Sequence, residues 1–112
     1  GTPHHGTAIG ALNPATNVSQ MQWHSAWLAD LAGTETAATR RQFVCYYSHC
    51  DNIVFPASTA TLQDAQNHHL VATAHVQMVD APEVFEAVLA SLVDRAVTPH
   101  AAPQLLPAGL TA

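Results

Sequence analysis

Residues 43–56 read FVCYYSHCDNIVFP, and this stretch decides the fold class. Its first five residues, Phe43 to Tyr47, are aromatic, β-branched or small and apolar, without polar alternation. Such a run predicts a short strand buried on both faces, as in a parallel sheet. Ser48 to Asn52 then predicts a turn, and Pro56 ends the extended segment. Further along, HHLVA at His68 to Ala72 predicts a second short strand, with Ala57 to Leu62 a short helix between the two.

Working outward, the C-terminal side carries the clearest helix. Asp80 is placed to cap it, Glu83 lies three residues on, and Pro82 sits in the first turn where its missing N–H costs nothing. Val84, Val88 and Leu92 form one ridge, and Phe85, Leu89 and Val93 the next. The pattern predicts an amphipathic helix lying on a sheet. From Thr98 to Ala112 the chain turns to Thr, Pro and Ala and predicts a loose tail, leaving residues 1–97 as the folded unit. On the N-terminal side, Gly1 to Pro14 reads as a loop. Ser19 and Gln22 have capping-box spacing, and Trp23, Trp27 and Leu31 fall on one face, so a helix is expected from there to Gly33. Thr34 to Thr39 is expected to be a connecting loop. Strand, loop, strand, loop, helix is an α/β pattern. Two parallel strands are no stable sheet alone, so the sequence reads as the second half of a larger sheet. The start at Gly1, without methionine, likewise reads as a piece of something longer.

Composition narrows the function. Of 112 residues, 48% are apolar and only 10% are charged, the balance of a packed segment and not of a disordered one. There are three arginines (Arg40, Arg41, Arg95), no lysine, and a formal charge of −5, which leaves no basic face for a nucleic acid. No apolar run reaches the roughly 18 residues of a membrane span, and no basic segment followed by an apolar run reads as a signal peptide. Cys45 and Cys50 are not spaced as C-x-x-C. They read as plain thiols or as a small-loop disulfide.

Two residues stand where an α/β sheet places its chemistry, just past the carboxyl ends of strands. Asp51 follows the first strand and His75 the second. An aspartate so placed can accept the Nδ1–H of a histidine and leave Nε2 free to take a proton from a serine hydroxyl. The ordinary alternatives are an Asx-turn for Asp51 and a surface or satisfied core position for His75. The paired histidines His4-His5 and His68-His69 lack the i,i+4 spacing of a helical metal site, so no metal ligands are assigned.

Three segments together resemble bacterial lipases and related esterases of the α/β-hydrolase superfamily. Gly1 to Thr7, GTPHHGT, looks like that family's GTPHxGT segment, which follows the strand after the nucleophile elbow. Tyr47 to Pro56 looks like its S-x-x-D-x-I/V-V-x-P segment, which carries the triad acid. Ala74-His75-Val76 looks like the segment that carries the triad histidine. The resemblance implies an α/β fold forming the C-terminal half of a hydrolase domain, with Asp51 as acid and His75 as base. It implies ester or lipid substrates, no cofactor, a complementary N-terminal half as partner, and a secreted or membrane-associated setting. His4, Trp23 and Trp27 become candidate substrate contacts, although an amphipathic core stripe is the favoured account of the tryptophans and a structural role that of His4. Two departures are plain. None of the serines at 19, 25, 48, 58 and 91 lies in G-x-S-x-G, so the chain supplies no nucleophile. Ala74 stands where the family often has glycine. Two further readings come from other classes. One is a non-catalytic fragment that binds a complementary half, and the other is a histidine-rich metal-binding module.

Overall fold

The computed structural model describes residues 1–12 and 15–97; the expected tail, 98–112, lies outside them. The architecture is mixed α/β around a two-stranded parallel sheet. A 3-10 turn at Ala8–Leu12 leads into helices α1 (Thr16–Gln20), α2 (Ala26–Thr34) and α3 (Ala37–Arg40). Strand β1 (Val44–Tyr47) is followed by a 3-10 turn at Ala57–Ala60 and by β2 (Gln66–His69). A last 3-10 turn, His75–Val79, precedes α4 (Pro82–Val97). No helix among the described residues is long and apolar enough to cross a membrane.

The two strands pair in register, Val44 with Gln66 through Tyr47 with His69. Side chains directly opposite one another touch: Tyr46 stacks on His68 at 5.4 Å, and Tyr47 lies 5.2 Å from His69. The expected burial of β1 on both faces does not hold. Cys45 is buried, but Phe43 and Val44 are exposed and the tyrosines are intermediate, because among the described residues β2 is the one strand beside it. β2 begins two residues before the expected HHLVA, and all four of its residues are exposed. Asn67 explains the shift. Its side chain accepts from the Leu62 N–H and donates to the Leu62 and Ala65 carbonyls, pinning the preceding turn. Ala72 then takes a positive φ of 51°, which turns the chain out of the strand direction.

The helix expected from Ser19 to Gly33 is broken in two. The backbone of Met21–Trp23 is used elsewhere: the Thr7 N–H donates to the Met21 carbonyl and the Trp23 N–H to the Thr7 carbonyl. His24 adopts φ 63° at the break. Ser25, not Ser19, caps α2. Its hydroxyl donates to the Gln20 carbonyl at the end of α1 and accepts from the Leu28 N–H at the start of α2. Part of the expected loop 34–39 is helical, since the Thr36 hydroxyl accepts from the Thr39 N–H and opens α3.

The core lies under the loops that follow the strands. Cys45, Val54, Ala60, Leu62, Leu70, Met78 and Ala81 are buried there, and Leu28 is the buried residue of α2. Trp27 and Leu31 stay 49% and 39% exposed, so the aromatic stripe is not core. α4 departs most from expectation. It starts at Pro82, so Ala81 and not Asp80 flanks it, and Asp80 closes the preceding 3-10 turn. It meets chiefly that turn and does not lie on the sheet. Phe85, Val88, Leu89, Leu92 and Val93 are 46–63% exposed.

Candidate active site

Asp51 and His75 meet. Nδ1 of His75 lies 3.0 Å from Oδ2 and 3.1 Å from Oδ1 of Asp51, although 24 residues separate them in sequence. The Asp51 side chain is 2% exposed and the His75 side chain 30%. Two turns produce the meeting. The Asp51 loop folds as an Asx-type turn, in which Oδ1 accepts the N–H groups of Ile53 and Val54 at 2.8 Å each. The ordinary role foreseen for an aspartate in a turn is therefore present alongside the histidine contact. His75 opens its own 3-10 turn, where the Gln77 side chain accepts from the Ala74 N–H at 2.9 Å. Ala74 has φ −75°, an ordinary value, so alanine in place of glycine carries no strain here.

Both Asp51 oxygens face N–H donors, and Oδ1 already accepts two. An Nδ1-protonated His75 therefore donates mainly to Oδ2, which leaves Nε2 as the basic atom. Burial pushes the Asp51 carboxyl up, but the hydrogen bonds from His75 and from the Val54 and Ile53 N–H groups outweigh it. They hold the group below the ordinary carboxylate range. The site thus keeps a buried anion that orients an imidazole.

Four residues that the sequence did not single out hold this pair in place. The Ser48 hydroxyl accepts the Cys50 N–H at 3.1 Å and the Thr73 N–H at 3.3 Å, tying the acid loop to the histidine loop. Ser48 is 1% exposed. The Asn52 side chain accepts from the His75 N–H at 3.4 Å. The Thr7 hydroxyl donates to the Ile53 carbonyl at 2.7 Å and accepts from the Phe55 N–H at 3.1 Å, anchoring the first segment on the acid loop. Gly1 packs directly against the pair: a Cβ there would sit 2.8 Å from Asp51 Oδ2 and 2.9 Å from His75 Nδ1. Gly6, at φ 84°, passes so close to the Gln22 carbonyl that no side chain fits. The signal available beforehand was that Gly1, Gly6, Thr7 and Ser48 all lie inside the segments carrying the resemblance.

The other candidates lie elsewhere. His4 is half-buried, with Nε2 3.3 Å from the Cys45 Sγ and its ring edge-on to Phe43. Burial holds the His4 imidazole below its usual value, opposed by the Glu35 charge, and pushes the Cys45 thiol up. His4 and Trp27 line a cavity of about 360 Å³. Trp23 instead stacks on His24 at 4.8 Å and lines a neighbouring cleft. Neither Asp51 nor His75 lines either space. Both cysteines are free thiols. Among the described residues, no group of three or more His, Cys, Asp or Glu side chains comes together around a point that a metal could occupy. No family model, curated protein or solved structure matches this chain, so the chemistry of the site rests on its geometry.

Proposed function

We propose that this chain is the C-terminal half of an α/β-hydrolase domain and supplies the acid and the base for ester hydrolysis, Asp51 orienting His75. The observation that carries this reading is the contact between a buried, hydrogen-bonded carboxylate and Nδ1 of a partly exposed histidine, with acid before histidine in chain order. In the reaction, Nε2 of His75 takes the proton of a serine hydroxyl as that oxygen attacks the ester carbonyl. It then returns the proton to the departing alkoxide, and the acyl-enzyme forms. A water, deprotonated by the same nitrogen, releases the acid. None of the five serines stands in a nucleophile elbow, so the attacking serine and the oxyanion donors come from sequence beyond these residues.

Hydrolysis of a short-chain p-nitrophenyl ester tests this, using the chain alone and the same chain extended upstream through a G-x-S-x-G segment. The extended protein is expected to be active, the chain alone inactive. In the extended protein, His75→Ala is expected to lower kcat by about 10⁴-fold or more. An inactive but folded extended protein would sink the proposal. The exposed apolar face of α4 and the unpaired edge of β2 favour a second reading, a non-catalytic half that docks on a complementary one.

A further inference from the structure

The cavity beside α2 is a separate feature from the Asp51–His75 pair. Gly1 packs on that pair, whereas Thr2 to His5 turn away and form one wall of the cavity. Leu28 and Leu62, both buried, form its base. Met21, Trp27 and Leu31 surround it and stay 37–49% exposed, so the space is open to entry and is not a sealed packing void. At about 360 Å³ it falls within the roughly 300–1,000 Å³ of small-molecule sites. An apolar cavity of about 150 Å³ already takes up benzene.

The charged groups on its wall face one another as an ion pair, although the buried Arg40 Nε has no hydrogen-bond acceptor. Arg40 Nε lies 3.7 Å from Glu35 Oε2, and Arg40 Nη2 donates to the carbonyls of Ala32 and Glu35. Arg40 Nε is buried, so an ionic ligand would have to displace Glu35 to reach it. The polar edge of His4 is engaged with the Cys45 thiol. We propose that this cavity binds an uncharged, mainly aliphatic small molecule, held by Trp27, Leu28, Leu31 and Leu62. The inference does not depend on the hydrolase reading.

Calorimetric titration of the whole chain with 1-hexanol, 1-octanol, octanoate and octylammonium tests it. One-to-one binding of the alcohols is expected, with octanol roughly tenfold tighter than hexanol, since each buried methylene contributes about 0.8 kcal/mol. Both charged probes are expected to bind at least tenfold more weakly than octanol. Ala32→Phe, which fills the space from an exposed helix position, and Leu31→Asp, which places a charge on the wall, are each expected to abolish binding while the circular dichroism stays unchanged. Val88→Asp on the remote α4 is expected to leave it intact. The idea is overturned if the folded chain shows no saturable alcohol uptake, if octanoate binds as tightly as octanol, or if whichever wall variant folds still binds normally. Loss of binding in Val88→Asp would place the uptake on α4 and overturn it equally.

Discussion

A methyl group at Gly1 would stand 2.8 Å from the acid and 2.9 Å from the imidazole, closer than real side-chain carbons come to either. Gly1→Ala is therefore expected to displace His75 from Asp51 without unfolding the chain. NMR would read this as loss of the downfield His75 Nδ1–H resonance; its persistence would show that the contact tolerates the methyl. Asp51 offers a second check. Its carboxyl is held below its ordinary value, so near pH 4 and lower the unfolded chain binds more protons than the folded one. The stabilisation is complete above the unfolded value of about 3.9 and is lost as pH falls through the lower folded one. Urea unfolding from pH 7 to pH 3 is expected to show that acid limb in the native chain and a flatter one in Asp51→Asn. At pH 7 the substitution is expected to cost about 1–3 kcal/mol, because an amide can still accept from Ile53 and Val54 but not from an Nδ1-protonated His75. Both residues were legible from the sequence, because acid and histidine each follow a strand. Ser48, Thr7 and Asn52 were not, since a hydroxyl or amide that accepts backbone N–H groups leaves no periodic trace.

Element by element, apolar patterning located β1 and α4 but misplaced β2, whose four residues include no apolar one, and did not show what each would bury. Leu70 and Leu89 have the same side chain in opposite settings, one 5% exposed after β2 and the other 47% exposed on α4. Leu70→Ala is expected to cost about 2–5 kcal/mol in denaturant unfolding and Leu89→Ala below about 0.5 kcal/mol. Equal costs would mean that α4 is packed in solution. The helix around Trp23 failed for a different reason. Its i, i+4 pattern is real, but Thr7 captures the backbone of Met21–Trp23, and that tertiary pairing outweighs local propensity. Ser25 then resets the count by capping both ends of the break.

For the molecule as a whole, a two-stranded parallel sheet with β2 at an open edge and an exposed apolar helix face should associate with itself. Sedimentation is expected to show concentration-dependent assembly, strengthened by sulfate and weakened by the pair Val88→Lys and Leu92→Lys. A strictly monomeric chain at tens of micromolar would contradict this. The sequence alone determined the mixed α/β character, the first strand, and the acid and histidine that each follow a strand. These follow from residue type and short-range spacing, which a linear reading contains. Only the tertiary structure decided that Ser25 caps α2, that Gly1 and Ser48 frame the Asp51–His75 pair, that the tryptophans avoid the core, and that α4 stands off the sheet. Each of these depends on which distant backbone group or apolar surface is within reach, and chain order does not carry that distance.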